Sequence, residues 1–558
     1  MRIALAQISP VVGDFDGNVR KITKAYDRAA QDSAARLLLT PELSVSGYPP
    51  HDLMDRPEIF SRTDAALESL KTITKGKKLA LAVGHVARNP KSKGRRAQNC
   101  VSVIQDGQIV FTQAKTLLPT YDVFDEARYF EPAHEIKAWE YEPGRRVAFA
   151  ICEDLWSGDE SLQQLYDVNP VLEIQKLKPD VLVSISASPY EYQKRERREA
   201  IHSDIAKKLN VPLLYINQFG ATDDILFDGA SFVIDSKGVV CERLQFFSED
   251  FTTVDTQSLS QKQLMTPQEL DVLIDGLICG IRSYFERTGF RLGILGLSGG
   301  IDSAVVAVLA AQALGEKNIL GIAMPSQVSS LHSLEDAEEL AKNLKIHFLV
   351  KPIKFLFSAA QKEMANTGEP LADIALENLQ SRIRGNLLMT LSNHYQALVL
   401  TTGNKSEMAM GYCTLYGDMC GALAPIGDVY KTRVYEIAGR LNERFGEVIP
   451  KRSIDKAPSA ELRPNQTDQD SLPAYDVLDG LLFDYLEKSI PVSDLKNKYD
   501  SKLGKGHSVE AVLKKFEINE YKRRQAAPTL KVSTKAFGVG RRVPIAKIWD
   551  NKTGQPTV

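Results

Sequence analysis

The amino-acid sequence predicts two α/β domains joined by a short polar segment, the first an α/β sandwich and the second built on a parallel sheet. Short β-rich runs alternate with amphipathic helical stretches over residues 1–255, and a second strand-and-helix pattern begins near residue 271. The segment between them, residues 256–270, is polar and lacks β-branched runs, which is typical of a linker. The chain has 558 residues, more than one hydrophobic core normally serves, so we expect domains 1–255 and 271–558.

The composition excludes several classes of protein. Apolar residues make up 43% of the chain, yet no apolar run approaches the roughly 18 residues that cross a bilayer, so we expect no membrane role. The opening residues lack the pattern of a secretory signal, and the six cysteines show neither disulfide nor metal-site spacing. A net charge of -2 gives no overall field that would attract nucleic acid. We therefore expect a cytoplasmic protein with reduced thiols.

The predicted strands of the first domain come at regular intervals. They are RIALAQI, ARLLLTPE, KLALAVGHVA, CVSVIQDGQIVF, RVAFAIC, VLVSISAS, VPLLYINQ and SFVIDSKG. In the second domain, LGILGL, NILGIAMPS and QALVLTTGN are predicted strands that end in polar residues, which is where parallel sheets place their ligand sites. From about residue 461 the chain becomes turn-rich and then helical, and we interpret this part as an appendage of the second domain.

Three chemically competent residues each follow a predicted strand. Cys152 lies where RRVAFAICEDLW passes from an apolar run to an acidic segment, Glu42 follows RLLLTP, and Lys115 follows another strand. The alternative for Cys152 is a buried structural thiol, since free cysteines are among the most buried residues. A base and a cation at neighbouring strand ends favour a nucleophile, because a thiol needs such groups for activation at neutral pH.

These three residues, in this order, resemble the catalytic set of the nitrilase (carbon-nitrogen hydrolase) superfamily, and the resemblance spans the whole first domain. It implies an α-β-β-α sandwich in which Glu42 takes the proton of Cys152 and Lys115 stabilises the thiolate and the oxyanion. The substrate would be the side-chain amide of glutamine, cleaved through a thioester with release of ammonia.

Within that superfamily, the run KTLLPTYDVFDEARYF resembles the form found in NAD synthetases. The resemblance implies that Glu126 orients Lys115, and it implies three glutamine-binding residues: Tyr121, Ser188 and Lys194. One departure is Asp224 in FGATDDILFDG, where the family usually carries Glu.

The short motif SGGIDS, residues 298–303, stands between an apolar run and a predicted helix. Adjacent glycines allow backbone N–H groups to form an anion-binding nest, the helix N-terminus adds positive potential, and Asp302 offers a magnesium ligand. The lysine of a Walker A loop is absent, which excludes an ordinary kinase or GTPase. A structural glycine turn is the alternative.

SGGxDS resembles the ATP-pyrophosphatase group, whose Rossmann-like (adenine nucleotide α hydrolase-like) fold activates a carbonyl oxygen as an adenylate. The run LTTGNKSEMAMGYCTLYGDMCGALAPIGDVYKTRVYEIA resembles the NAD synthetase signature within that group. The implied cofactors are ATP and Mg²⁺, with Asp302 and Glu407 as metal ligands. The implied ATP-binding residues are Gly296, Leu297, Ser298, Gly299, Gly300, Ile301, Asp302, Ser303, Thr402, Lys431 and Ser459. The implied deamido-NAD-binding residues are Asn378, Glu407 and Lys522.

Together the two halves resemble the glutamine-dependent NAD synthetases, ligases that amidate deamido-NAD with ammonia from L-glutamine and form AMP and pyrophosphate. The resemblance implies small-molecule substrates, no nucleic-acid partner and a homo-oligomer. The basic stretch 514–552 would face phosphate, whereas Gln327 and Val328 depart from the family pattern. Two alternatives remain open: another amidotransferase of the ATP-pyrophosphatase group, and a binding protein with an inert amidase domain.

Overall fold

The structure, a computed structural model, describes residues 1–158, 165–262, 264, 266–365 and 371–548. The chain divides into two compact units, Met1–Glu269 and Leu270–Val558. Among the described residues, no helix combines the length and the apolar character that a membrane crossing requires. All six cysteines are free thiols.

The first unit contains two six-stranded sheets. In chain order its strands are β1 (Arg2–Gln7), β2 (Ala35–Leu39), β3 (Ala80–Arg88), β4 (Ala97–Gln105), β5 (Gln108–Ala114), β6 (Ala138–Glu142), β7 (Arg145–Ile151), β8 (Val181–Ser186), β9 (Leu213–Asn217), β10 (Phe219–Thr222), β11 (Ile225–Asp228), β12 (Phe232–Ile234), β13 (Val240–Arg243) and β14 (Asp250–Asp255). The sheet orders are β14-β1-β2-β3-β4-β5 and β13-β12-β9-β8-β7-β6, and β10 and β11 form a separate hairpin.

The inner faces of these two sheets share one apolar cluster. Residues of β1, β2 and β3 pack there with residues of β7, β8 and β9, all of them Ile, Leu, Val, Ala or Phe. The helices of this unit are α1 (Phe15–Ala30), α2 (Glu58–Thr74), α3 (Glu126–Tyr129), α4 (Pro170–Leu177) and α5 (Lys194–Leu209), with 3₁₀ turns at His51–Asp55 and Cys152–Gly158. Helices α1 and α2 cover one sheet and α4 and α5 the other, so the predicted α-β-β-α sandwich is confirmed.

One predicted strand is in fact two. The run CVSVIQDGQIVF contains β4, a turn and β5, with Asp106 at φ 47° and Gly107 at φ 76°. Positive φ at both turn residues is the geometry that an Asp-Gly hairpin adopts. The sequence interpretation also omitted β6, β10, β11, β13 and β14, which are short or partly polar.

The second unit contains a four-stranded parallel sheet in the order β17-β16-β15-β18. Its strands are β15 (Gly293–Gly296), β16 (Ile319–Ala323), β17 (His347–Val350) and β18 (Leu398–Val399). Its helices are α6 (Glu269–Thr288), α7 (Ile301–Leu314), α8 (Leu331–Leu344), α9 (Lys354–Ala365), α10 (Asp373–Tyr395), α11 (Lys405–Met410), α12 (Lys431–Phe445), α13 (Lys451–Asp455), α14 (Tyr475–Leu486), α15 (Val492–Tyr499), α16 (Val509–Ile518) and α17 (Glu520–Arg523), with 3₁₀ turns at Glu316–Asn318 and Asp468–Asp470. Strand–helix alternation around a parallel sheet confirms the predicted Rossmann-like class.

The C-terminal helices pack within the second unit. Helices α14, α15 and α16 share one apolar cluster with residues Met408–Met410 of α11. The helix that carries Glu407 therefore rests on the C-terminal part of the chain.

Candidate functional sites

A buried ionic cluster lies in the first unit, where β2 and β5 end. Lys115 Nζ donates to Glu42 Oε1 at 2.8 Å and to Glu126 Oε1 at 2.7 Å, and all three side chains are at most 5% exposed. Asn99 Nδ2 donates to the same Glu42 oxygen at 2.7 Å, and Tyr48 OH donates to Glu126 Oε1 at 2.8 Å. Glu42 and Lys115 are thus brought together as the sequence predicts, with Glu126 as a second partner of the lysine.

Cys152 begins the 3₁₀ turn that follows β7, and its backbone has φ 45°. This left-handed conformation is costly for a residue with a side chain, so the surrounding structure must hold it in place. Asp154 provides that support, since its carboxylate accepts N–H groups from Thr116 and Leu117 at 2.9 and 2.8 Å and from Ile151 at 3.0 Å. The strand-end turn therefore fixes the thiol beside the segment that carries Lys115.

Burial and charge set the protonation of these groups. Burial, with the charge of Glu42, raises the pKa of the Cys152 thiol above its ordinary range, and Lys115 opposes this only in part. The pKa of Lys115 is also raised, because the carboxylates of Glu126 and Glu42 outweigh its burial. Burial raises the pKa of Glu126 to about 7. The raised pKa values of Cys152 and Lys115 thus favour a neutral thiol and an ammonium group in the resting cluster.

The set can perform nucleophilic catalysis on an amide. A thiol needs a base to become a nucleophile, and the departing nitrogen needs an acid, and one carboxylate can fill both roles in turn. The second carboxylate oxygen of Glu42, Oε2, accepts a hydrogen bond from the Ala187 backbone N–H at 2.8 Å. A fixed carboxylate and ammonium group beside a buried thiol are what such chemistry requires.

The predicted glutamine ligands lie in different environments. Tyr121 OH donates to Glu153 Oε1 at 3.0 Å, and Tyr166 OH donates to the same oxygen at 3.0 Å. Lys194 begins α5, donates to the Pro189 carbonyl at 3.0 Å and lies 5.1 Å from the Trp156 ring. Tyr121 and Lys194 therefore contact the turn that starts at Cys152, through Glu153 and Trp156 respectively.

Ser188 follows β8 and is buried. Its backbone N–H donates to Asn217 Oδ1 at 2.9 Å. Asp224, the departure from the family pattern, lies in the tight turn between β10 and β11.

The SGGIDS loop links β15 to α7. Ser298 Oγ accepts the Gly300 N–H at 3.2 Å and lies 3.1 Å from Ser303 Oγ, which also donates to the Gly300 carbonyl at 3.0 Å. Gly299 has φ 76°, and a Cβ there would come within 2.3 Å of the Ser333 carbonyl oxygen. Only glycine fits this position, and the loop leaves the N-terminus of α7 open to an anion.

A cavity of about 300 Å³ adjoins this loop. Every residue of 296–303 except Gly299 lines it, together with Thr402, Glu407, Lys431 and Ser459. The predicted ATP-binding residues, which come from four separate parts of the sequence, are thus brought to one cavity. Asn378 and Lys522 are not among its lining residues.

Asn378 and Lys522 lie behind that lining. Asn378 Oδ1 accepts a hydrogen bond from Thr414 Oγ1 at 2.7 Å. Lys522 Nζ donates to the carbonyls of Gly411 and Cys413 at 2.7 and 2.8 Å, and Cys413 lines the cavity. The two predicted dinucleotide ligands therefore support one loop, 411–414, at the cavity edge.

Two carboxylates face each other across an ammonium group in the cavity. Lys431 Nζ donates to Asp302 Oδ2 and lies 3.4 Å from Glu407 Oε1. Glu407 also closes a capping box with Asn404 at the start of α11, and Asn404 Nδ2 donates to Asp302 Oδ1 at 3.0 Å. Burial, with the charge of Asp302, raises the pKa of Glu407 to about 8. Lys431 therefore lies between the two carboxylates at the edge of the cavity.

The basic stretch 514–552 makes internal ion pairs. Arg523 and Arg541 both pair with Glu520, which is buried. These two arginines do not meet the expectation of a phosphate-facing surface. Residues 549–552 of the stretch lie outside the described residues, and Gln327 and Val328 lie in the turn before α8.

Several site residues were missed at the level of sequence. In the first unit they are Tyr48, Asn99, Glu153 and Tyr166, and around the cavity they are Ser330, Ser333, Arg384, Lys456, Glu461 and Asp468. Lys456 and Glu461 lie close to the predicted residue Ser459 in the run KAPSAEL. Of the others, Asn99 lies within β4, and Ser333 and Arg384 lie within α8 and α10, whereas the rest lie in loops or 3₁₀ turns.

Each half of the chain matches a known protein family. Residues 2–263 match the carbon-nitrogen hydrolase family and residues 273–526 the NAD synthase family. A glutamine-dependent NAD(+) synthetase of Synechocystis sp. is 43% identical, with 98% of each chain covered, and one of Acinetobacter baylyi is 40% identical, again with 98% of each covered.

Two solved structures cover nearly the whole chain. The glutamine-dependent NAD+ synthetase of Acinetobacter baumannii in complex with adenosine diphosphate has a TM-score of 0.76 at 36% identity, with 99% of each chain covered. That of Cytophaga hutchinsonii has a TM-score of 0.82 at 20% identity, with 98% of this chain and 97% of the other covered, and shows the same fold.

Proposed function

The chain belongs to the glutamine-dependent NAD(+) synthetases, and from this premise we propose which residues carry each half of the reaction. The first unit hydrolyses L-glutamine to glutamate and ammonia. The second unit uses ATP and ammonia to convert deamido-NAD to NAD, with release of AMP and pyrophosphate. The observation that carries the proposal is the separation of the two residue sets: Glu42, Lys115 and Cys152 lie in the first unit, and the nucleotide cavity lies in the second.

In the first unit, Glu42 accepts the thiol proton as Cys152 Sγ attacks the side-chain amide carbon of glutamine. The oxyanion of the tetrahedral intermediate is stabilised by Lys115, whose raised pKa keeps it charged. Glu42 then gives its proton to the amide nitrogen, the C–N bond breaks, and ammonia departs. The acyl group remains on Cys152 as a thioester. Water activated by Glu42 hydrolyses the thioester and returns the thiol. Ser188 and Lys194 bind the α-amino and carboxylate ends of glutamine, and Tyr121 also contacts the substrate.

In the second unit, the loop 296–303 and the start of α7 hold the ATP phosphates. The nicotinate carboxylate of deamido-NAD attacks the α-phosphorus, pyrophosphate leaves, and ammonia displaces AMP from the adenylate. Lys431 supplies positive charge beside the phosphates, and Thr402 and Ser459 line the same cavity. Asn378 and Lys522 position the loop 411–414, and through this loop they contribute to deamido-NAD binding.

Asp302 and Glu407 suit a magnesium ion. Both are carboxylates, which are the ligands that Mg²⁺ prefers, and both lie beside Lys431 at the cavity that adjoins the loop 296–303. No group of three or more possible metal-binding side chains occurs among the described residues, so the protein would contribute two carboxylates and the phosphates and water the rest. When bound, the ion neutralises charge that builds up on the phosphates.

The domain limits 1–255 and 271–558, the linker 256–270 and a homo-oligomeric state are part of this proposal. Full-length coverage of the relatives supports two joined activities in one chain. Sedimentation of the purified protein tests the oligomeric state, and a single monomeric species would refute it.

A product assay tests the proposed function directly. With ATP, Mg²⁺ and deamido-NAD present, we expect glutamine to yield equal amounts of NAD, AMP and pyrophosphate. Omission of deamido-NAD serves as the control and should stop AMP formation. Formation of ADP and phosphate instead would refute adenylation, and ATP cleavage dependent on another nucleotide would identify a different amidotransferase.

A further inference from the structure

Two successive backbone amides at the end of β8 are held from opposite sides. The Ala187 N–H donates to Glu42 Oε2 at 2.8 Å, and the Ser188 N–H donates to Asn217 Oδ1 at 2.9 Å. Asn217 ends β9, the neighbouring parallel strand. The segment 187–188 thus joins the proposed general base to a residue outside the proposed catalytic set.

Asn217 continues into a buried ion pair. Its Nδ2 donates to Asp228 Oδ1 at 3.1 Å, and Asp228 receives both Arg198 Nη1 at 3.0 Å and Nη2 at 2.7 Å. Asn217, Asp228 and Arg198 are 0%, 3% and 1% exposed. A two-point guanidinium–carboxylate contact fixes orientation as well as distance. The polar chain is therefore rigid and shielded from water.

The Arg198–Asp228 ion pair is also connected to Lys194, a proposed glutamine ligand, through helix α5. Arg198 lies four residues after Lys194 on α5, so both side chains project from the same face of that helix. Asp228 ends β11, which places the start of α5 in a fixed position relative to the strand. The chain from Arg198 to Asn217 thus connects Lys194, Ser188 and Glu42.

Stability alone is a poor explanation for this arrangement. A buried ion pair costs desolvation that its attraction repays only in part, and well-packed apolar residues often serve the fold equally well. The ion pair and Asn217 instead fix the orientation of the groups that they contact, because each hydrogen bond holds one atom of the next residue in place.

We propose that Asn217 and the Arg198–Asp228 pair are positioning residues that set the segment 187–188 and the start of α5 for glutamine binding. The inference rests on the proposed function of the first unit. None of the three residues touches the reacting atoms. Their effect reaches the substrate through Ser188 and Lys194, and it reaches the base through the Ala187 amide.

Asn217→Ala tests this proposal in the full-length protein. The variant removes the acceptor for the Ser188 N–H and leaves the ion pair in place. We expect the KM for glutamine in glutaminase turnover to rise about tenfold, since a lost buried hydrogen bond commonly costs that much in binding. Ammonia-driven NAD formation should stay within about twofold of wild type, because its residues lie in the other unit.

Tyr26→Phe is the matched control. Tyr26 is buried in α1 and its OH donates to the Leu79 carbonyl at 2.7 Å, so the variant loses a buried side-chain hydrogen bond in the same unit. Asn217→Ala loses the hydrogen bonds to Ser188 and to Asp228. Both variants should lower the melting temperature, and only Asn217→Ala should raise the KM. An unchanged KM in folded Asn217→Ala, or an equal rise in Tyr26→Phe, would overturn the proposal.

Arg198→Lys decides the question if Asn217→Ala fails to fold. Lysine keeps the charge and loses the two-point contact, so we expect a smaller rise in the glutamine KM with normal ammonia-driven synthesis. A wild-type KM in this variant would overturn the inference. Failure of the proposed function looks different: wild-type protein would then release no glutamate from glutamine.

Discussion

Glu126→Gln separates the catalytic use of the buried ionic cluster from its effect on stability. The cluster holds two carboxylates and one ammonium group, all nearly inaccessible to water, and Glu126 Oε2 has no hydrogen-bond partner among the described residues. Burial raises the pKa of Glu126 from 4.5 to about 7. Glutamine at this position keeps the shape and the oxygen that accepts from Lys115 and Tyr48, and it removes the surplus negative charge.

The sign and size follow from the pKa. A carboxyl group whose pKa is higher in the folded than in the unfolded state stabilises the fold fully below about pH 4.5, and loses that stabilisation as the pH rises through about 7. At 1.36 kcal/mol for each pH unit, the loss is about 3 kcal/mol by pH 8. Glutamine does not titrate. The wild-type protein should therefore lose about 3 kcal/mol relative to Glu126→Gln between pH 4.5 and pH 8.

Calorimetric melting at pH 5 and pH 8 measures this difference. For a unit of this size we expect the variant to gain on the order of 5 °C over wild type at pH 8 compared with pH 5. Glutaminase kcat should fall by about 10–100-fold, because the oxygen that accepts from Lys115 loses its negative charge and orients the ammonium group less strongly. A melting difference independent of pH would refute the protonation assignment, and wild-type kcat would refute the orienting role of Glu126.

Three further changes test the second unit. Asp302→Asn and Glu407→Gln should each abolish synthesis from glutamine and from ammonia while glutaminase activity persists, since both groups face Lys431 in the nucleotide cavity. Wild-type synthesis at limiting Mg²⁺ in both variants would contradict the metal assignment. Gly299→Ala should weaken ATP binding by at least about tenfold, because its Cβ would meet the Ser333 carbonyl at 2.3 Å and φ is 76°. Isothermal titration with ATP checks this, Gly439→Ala in an open helix position serves as control, and unchanged affinity would contradict the loop geometry.

The sequence predicted residues whose position is marked by a local pattern. Glu42, Lys115 and Cys152 each stand at the end of an apolar run, and a strand of that kind has a recognisable end. SGGIDS is marked in the same way, by a strand before it and a helix after it. The Asp-Gly pair in CVSVIQDGQIVF carried a hairpin signal as well, and the single-strand interpretation overlooked it.

The missed residues depend on tertiary contacts. Asn99 lies within β4 and contacts Glu42 only because β4 pairs with β3, which lies beside β2 in the sheet. Arg198 looks like one more charge in a highly charged helix, and its burial against Asp228 becomes visible only when α5 packs on the sheet. No spacing rule connects residues so far apart in the chain. The strands β10 and β13 were missed because four residues carry too little periodicity to identify a strand.

Cys152→Ala tests most directly whether one chain carries two chemically separate sites. NAD formation should be measured from glutamine and from ammonium chloride side by side, with thermal unfolding as the control on folding. We expect glutamine-driven synthesis to fall by several orders of magnitude, because the nucleophile is lost, while ammonia-driven synthesis remains near wild type. Equal loss of both activities in a stably folded variant would contradict the claim of two sites, and retained use of glutamine would exclude Cys152 as the nucleophile.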